Sequence, residues 1–146
     1  MPLASFGNVN NLRIRLKKEN DQKLKRLVTK IIAQDMLIGM YQMHKFDYYH
    51  LDIKCENMVV TSNGRCLLID FGCSEKIVTS ENEQKSPLIK FEEDKENKRW
   101  KANGDTNYFS PERENANKDF FNAMSSDSYS IGLSLWELVT GEKIEE

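Results

Sequence analysis

His50-Leu51-Asp52-Ile53-Lys54-Cys55-Glu56-Asn57 and, one short excursion of the chain later, Ile69-Asp70-Phe71-Gly72 are the stretches on which the reading of the fold turns. Between them lie two apolar runs, Met58-Val59-Val60 and Cys66-Leu67-Leu68-Ile69, separated by Thr61-Ser62-Asn63-Gly64-Arg65. An Asn-Gly pair readily takes the positive φ angles of a tight turn, so this segment is predicted to be a two-stranded hairpin. A hairpin carries the chain out and back, which returns Asp70 close to Asn57. Within the octapeptide, an Asp, a Lys and an Asn converge on one polar site if the backbone turns between them. Alone that set is weakly specific, because many surface loops carry the same residues; the second carboxylate is what makes it informative. Two oxygen ligands, Asn57 and Asp70, suit Mg²⁺, which is commonly held by few protein groups together with substrate phosphates. Asp52 remains free to act as a base.

Upstream, apolar residues recur at Leu24, Leu27, Val28, Ile31, Ile32, Met36, Met40 and Met43, the spacing of a helix with one buried face over Asp21 to Lys45. Asn20 or Asp21 is the N-cap candidate, and Lys23, Lys25, Arg26 and Lys30 form the solvated face. His44, near the helix end, is read as a capping or surface residue. Downstream, apolar residues thin out from Gly72 to Lys101, and residues 91 to 99 are nearly all charged, which reads as a long exposed loop with a mobile middle. Ser128 to Val139 then carries Ile131, Leu133, Leu135, Trp136, Leu138 and Val139 around most of a helix, so a buried helix is expected, with Trp136 in the core. No internal repeat occurs.

Composition bounds the rest. The chain has 146 residues, 30% charged and 39% hydrophobic, the balance of one soluble domain. Its 21 Lys plus Arg against 23 Asp plus Glu leave a formal charge of −2, which gives no support to nucleic acid or anionic lipid as a partner. The longest apolar run, Met36 to Tyr41, is far short of the roughly 20 residues that cross a bilayer. Met1 to Asn11 shows neither a secretion nor a lipidation pattern. The three cysteines, Cys55, Cys66 and Cys73, fit neither a disulfide framework nor a metal site, so reduced packing residues and a cytoplasmic setting, with a nuclear one open, are expected.

The sequence resembles the eukaryotic protein kinase family in four ordered motifs. His50 to Asn57 is similar to its catalytic loop, and Asp70-Phe71-Gly72 to its magnesium-binding triplet. Gly104-Asp105-Thr106-Asn107-Tyr108-Phe109-Ser110-Pro111-Glu112 resembles the substrate-facing end of the activation segment, with Ser110 replacing an alanine. Asp127-Ser128-Tyr129-Ser130-Ile131-Gly132 resembles the start of the buried central helix of the large lobe. The resemblance implies an α+β, mostly α fold: a kinase-like large lobe with a small β-hairpin carrying the site, and the small lobe missing. Residues 1–146 would form one partial catalytic domain comprising hinge, catalytic loop, activation segment (Asp70 to Glu112) and central helix.

By the same resemblance Asp52 accepts the proton of a substrate hydroxyl and Lys54 steadies the transferring phosphoryl. Asn57 and Asp70 hold magnesium, and Lys54, Glu56, Asn57 and Asp70 serve the cofactors, ATP and Mg²⁺. His50 packs against the magnesium-binding triplet, and Asp127 accepts hydrogen bonds from the catalytic-loop backbone, with helix capping as the bland alternative. Lys54 points to serine/threonine specificity. The implied partners are a protein substrate, ATP and a segment or second protein supplying the small lobe.

Three features depart from the family pattern. Leu51 stands where many members carry an arginine that meets a phosphate on the activation segment, so activation through Ser74, Thr79, Ser80, Ser86 or Thr106 is not expected. Asp105 stands where the family has a threonine bridging the catalytic Asp and Lys, with Thr106 a possible substitute. No G-x-G-x-x-G occurs, and Met1-Pro2-Leu3-Ala4 bears a faint likeness to the hinge. Glu112 should lack an arginine partner, and apolar surface should be exposed. Two readings follow: a serine/threonine protein kinase present as an incomplete domain, weak or inactive in isolation, or a non-catalytic, pseudokinase-like interaction module. A metal-dependent phosphohydrolase is disfavoured by the lack of a His-rich or multi-Asp cluster.

Overall fold

In the computed structural model, which describes residues 6–77, 87–90, 93–94, 99–100, 103–114 and 120–144, helices supply the frame and short hairpins hang from it. The periodic segment forms α2 (Gln22–Lys45), and Asp21 caps it as expected, its carboxylate accepting from the N–H groups of Lys23 and Leu24. A preceding helix, α1 (Val9–Lys18), has too few apolar positions to announce itself in the sequence. Asn8 caps it, and the buried Arg13 donates to the carbonyl of Gly141 at 2.6 Å. That bond joins α1 to the end of α4 (Ala123–Thr140), where Gly141 at φ 76° closes the helix.

Helix α4 begins before Ser128, with Asn122 as its cap through the N–H of Ser125, so Asp127 lies inside the helix. Its buried stripe is largely polar and small: Ser126, Asp127, Ser130, Ser134 and Glu137 accompany Ile131 and Leu138. The serines are satisfied within the fold; Ser130 Oγ bonds the carbonyls of Tyr108 and Ser126, and Ser134 Oγ that of Ser130. The expectation of a helix buried around most of its circumference is therefore corrected. Small serines let neighbouring backbone approach that stripe, while Trp136, 48% exposed, and Val139, 67% exposed, lie off it. Trp136 is not a core residue. Leu27, Leu37 and Tyr41 of α2 are exposed as well, as the expectation of uncovered apolar surface holds.

Among the described residues the strands form four two-stranded antiparallel sheets. They pair β1 (Tyr48–Tyr49) with β4 (Glu75–Lys76), β2 (Met58–Val60) with β3 (Cys66–Leu68), β5 (Leu88–Lys90) with β8 (Phe120–Asn122), and β6 (Glu93–Asp94) with β7 (Arg99–Trp100). The β2–β3 hairpin is the one foreseen, with Gly64 at φ 76° in its turn. Asp35 of α2 anchors it by accepting from Arg65 Nη2 at 2.7 Å and from the Cys66 N–H at 2.8 Å. Burial works against the Asp35 charge, but these bonds win and hold its carboxyl below the usual range. The segment after Gly72 is more organised than an exposed loop, since β4 and β5 recruit parts of it. The rest of that segment, residues 78–86, 91–92, 95–98 and 101–102, lies outside the described residues, as does the stretch compared with a hinge.

Two apolar clusters flank the octapeptide. Ile53, Cys55 and Met58 join Ile32 and Met36 of α2 and Ile131 and Leu138 of α4, while Leu51 joins Tyr49, Phe121 and Ala123. Leu51, Ile53, Cys55 and Asn57 are buried, and Asp52, Lys54 and Glu56 between them are partly open. The period-two alternation of the sequence thus anchors one set of side chains and presents the other. Burial pushes the Cys66 thiol up to about 12 and raises that of Cys55 further, as fits packing residues. No helix among the described residues is long and apolar enough to cross a membrane.

Candidate active site

Asp52 is held from three directions. Its Oδ2 accepts from Asn57 Nδ2 at 2.7 Å, and its Oδ1 accepts from the Asp105 N–H at 2.9 Å and lies 3.3 Å from Lys54 Nζ. An ionised carboxylate has about four acceptor positions, so these partners leave roughly one for a further donor. Asn57 Nδ2 also donates to the Asp52 carbonyl at 2.9 Å, which fixes the turn between them. Lys54 Nζ bridges to Asp105 Oδ2, again at 3.3 Å. Burial alone would lower the lysine pKa, but Asp52 and Asp105 together raise it, so its charge is secured.

Asp105 itself, not Thr106, ties its turn to Asp52 and Lys54. Its N–H reaches Asp52 and its carboxylate reaches Lys54, whereas Thr106 is exposed. The close approach requires Gly104: at φ 108°, a Cβ there would stand 2.6 Å from the Leu51 carbonyl oxygen. Tyr108 anchors the same turn to α4 through its hydroxyl, which donates to the buried Glu137 at 2.9 Å.

Beneath the loop, Asp127 Oδ2 accepts from the His50 N–H at 2.9 Å and Oδ1 from the Leu51 N–H at 2.8 Å. These are the backbone bonds the resemblance implied. A third partner was not legible in the sequence: His44 Nε2 lies 2.8 Å from Asp127 Oδ2, and the His44 side chain is only 8% exposed. Surface placement of His44 is thus corrected; packing of α2 against α4 turns it inward. His50 is fully buried, donates from Nε2 to the Ile69 carbonyl at 3.1 Å, accepts the Asp52 N–H on Nδ1, and stacks at a tilt on Phe71, centroids 5.4 Å apart. Both ring nitrogens are engaged, which supports the structural role expected of it.

Asp70 follows β3 on the same side, since the Ile69 N–H bonds the Asn57 carbonyl at 2.9 Å. It adopts φ 61°, and its Oδ1 accepts from the Gly72 N–H at 3.3 Å. Burial, then the charges of Asp52 and Asp70, raise the thiol pKa of Cys73. Glu56 stands apart: its Oε1 pairs with Lys143 at 2.9 Å, so the carboxylate does not join Asp52, Lys54 and Asp105. Among the described residues Glu112 forms no ion pair.

The donor chemistry suits a hard cation. Asn57 directs its amide N–H groups at Asp52, and no hydrogen bond uses its Oδ1 among the described residues; Asp70 Oδ2 is likewise uncommitted. Among those residues no group of three or more His, Cys, Asp or Glu stands ready to hold a metal by itself. A magnesium ion there would share its coordination with phosphates.

The sequence profile of the protein kinase domain matches residues 5–146. The chain belongs to the protein kinase family. It is similar to mitogen-activated protein kinase kinase kinase 3 of Arabidopsis thaliana, 28% identical over 142 residues, 97% of this chain and 21% of that protein. Human ribosomal protein S6 kinase alpha-4 is 26% identical over 120 residues, 82% of this chain and 14% of its own length. A probable serine/threonine-protein kinase PknB of Lactococcus lactis is 27% identical over 111 residues, 76% of this chain and 15% of its own. The chain therefore spans about a fifth or less of these curated relatives, and the kinases it resembles include serine/threonine kinases.

Proposed function

We propose that this kinase-family chain is the large-lobe part of a serine/threonine protein kinase catalytic domain, which transfers the γ-phosphoryl of ATP to a protein hydroxyl. The observation that carries this reading is the carboxylate of Asp52, fixed by Asn57, Lys54 and Asp105 with room for one more donor. A substrate hydroxyl is such a donor, and Asp52 accepts its proton as the oxygen attacks. Lys54, kept charged by Asp52 and Asp105, lies beside the attacking oxygen and offsets negative charge on the moving phosphoryl. Asn57 Oδ1 and Asp70 would hold magnesium, which when bound with ATP supplies charge neutralisation for the phosphates. The Gly104–Tyr108 turn carries the hydroxyl-bearing segment to Asp52.

A small lobe, in a longer chain or from a partner, supplies the remaining nucleotide contacts, since correct placement of two reactants is worth roughly 7–11 kcal/mol. A non-catalytic interaction module is the second reading, favoured by the exposed apolar residues of α2 and α4 and by the lack of a Gly-rich loop in residues 1–146. Phosphate transfer to a generic serine/threonine substrate, compared between this chain and Asp52→Ala, tests the first reading. A loss of about 10²- to 10⁴-fold is expected for a positioned base, and equal rates would exclude Asp52 as that base. Millimolar Mg²⁺ and ATP should raise the melting temperature; no shift would favour the second reading.

A further inference from the structure

We propose that Arg113 is a positioning residue that ties the catalytic loop to the substrate-facing turn without needing a phosphate. Its consequence for catalysis rests on the kinase reading; its geometry does not. Arg113 belongs to the short helix α3 (Pro111–Glu114) and is only 4% exposed. Its Nη1 donates to the Leu51 carbonyl at 2.9 Å and approaches Ser126 Oγ at 3.4 Å, and its Nη2 donates to the Asn103 carbonyl. The guanidinium carbon sits 3.7 Å from the centre of the Phe109 ring. Among the described residues it forms no ion pair, and its Nε has no hydrogen-bond partner.

A buried guanidinium without a carboxylate is costly unless its bonds achieve something. Burial pulls its pKa down to about 10, which still leaves it charged at neutral pH. What it achieves is visible in the two carbonyls it chooses. Leu51 immediately precedes Asp52, and Asn103 precedes Gly104 and Asp105. Those segments meet again in the Asp105 N–H bond to Asp52. Arg113 thus closes a ring of hydrogen bonds around the Asp52–Asp105 contact. Leu51 at φ 63° is in a conformation that leucine seldom adopts; Asp127 takes its N–H and Arg113 its C=O, so both sides of the strained peptide are held.

The planar fork matters, since one guanidinium spans two carbonyls that a point-charge ammonium cannot serve equally. In family members with an arginine at the position of Leu51, that side chain meets a phosphate. Here the arginine comes from α3, and its acceptors are carbonyls that are always present. The tie is therefore permanent.

Amide hydrogen exchange and steady-state phosphate transfer on the full chain, on Arg113→Met and on Arg113→Lys test this. In Arg113→Met the amides of Asp105, Tyr108 and Phe109 should lose protection while those of α2 and the β2–β3 hairpin keep theirs. Arg113→Lys should recover only part of it. Turnover should fall about tenfold to a hundredfold, as a small misplacement near the reacting atoms does, with the KM for ATP unchanged within about twofold. Phosphatase treatment of the unaltered chain should change neither readout. Unchanged protection at Asp105 and Phe109 in both variants would overturn the proposal. So would loss of protection throughout the chain in both, which makes Arg113 a core residue only. Selective loss in a chain that neither transfers phosphate nor gains stability from millimolar Mg²⁺ and ATP would support the tie and count against the kinase reading instead.

Discussion

Asp52 takes its hydrogen-bond partners from residues 57 and 105, with its neighbouring peptides held by 113 and 127, whereas among the described residues Asp70 accepts one bond, at 3.3 Å, from the N–H of Gly72 two residues on. The first carboxylate is fixed by elements far apart in the chain; the second is shaped by its own turn, and the neighbouring Phe71 is exposed. The difference separates two kinds of organisation. On the reading proposed above, Asp52 receives a proton in one direction and gains from being held before substrate arrives. Asp70, proposed as a cation ligand, can be drawn into place by the cation, so a locally set turn suffices there.

The largest effect on that contrast should come from Asp127→Ala. The substitution leaves the buried N–H groups of His50 and Leu51 without an acceptor and strips His44 of its partner. Hydrogen bonds to a charged group contribute about 1.5–3 kcal/mol each, and not additively, so a loss of about 3–5 kcal/mol is expected in denaturant unfolding. A loss below about 1 kcal/mol would mean that the loop is held from above, by Arg113 and Asn57, and that α4 matters little to it.

What the sequence made legible was local. The apolar spacing from Leu24 to Met43 foretold α2 with its Asp21 cap, and Asn63-Gly64 foretold the hairpin that returns Asp70 toward Asn57. The partners that give Asp52 its fixed geometry were less so. Asp127 and the position of Asp105 entered through resemblance, while Arg113 and His44 joined the site only in three dimensions. The bond from Asp105 to Asp52 runs through its backbone N–H, which any residue type other than proline carries, so side-chain identity gives no signal for that bond. Gly104 is its trace in the sequence, because only the missing Cβ lets that turn pass the Leu51 carbonyl. Helix α1 escaped for another reason: its tie to α4 is a buried arginine on a carbonyl, where periodicity looks for apolar residues.

The pH dependence of stability distinguishes the ground beneath the two carboxylates. Cys55 and Cys66 lie in the core that residues 50–57 pack on, with folded pKa values raised by burial, to about 12 for Cys66. The unfolded thiols ionise near 8.5, so between that value and the folded pKa the native state binds more protons. Stability is full below about pH 8.5 and falls as pH rises, by at most about 1.4 kcal/mol per unit for each thiol. Cys66→Ala should flatten that decline. Cys73, half-buried beside Asp70, is raised as well, first by burial and then by Asp52 and Asp70; Cys73→Ala should flatten it less. On the acid side Asp35, held below the usual range, contributes stability that is present above about pH 4 and lost as pH falls through its lowered pKa. Equal effects of the two cysteine substitutions would erase the distinction between a packed base and a looser turn.

The smallest effect, and the most direct on the contrast, is expected from Asp70→Gly. Asp70 occupies the left-handed region at φ 61° and ψ 74°, where glycine sits without strain and aspartate is merely tolerated. Glycine gains there by relief of the conformation and loses through the greater freedom of the unfolded chain, two terms of a few tenths to about 1 kcal/mol that nearly cancel. The bond to Gly72, exposed to water, adds little. Chemical unfolding should therefore place Asp70→Gly within about 0.5 kcal/mol of the parent, while magnesium-dependent nucleotide binding is weakened. A loss above about 1 kcal/mol would show that Asp70 is held by more than its own turn, and the two carboxylates would then belong to one rigid site.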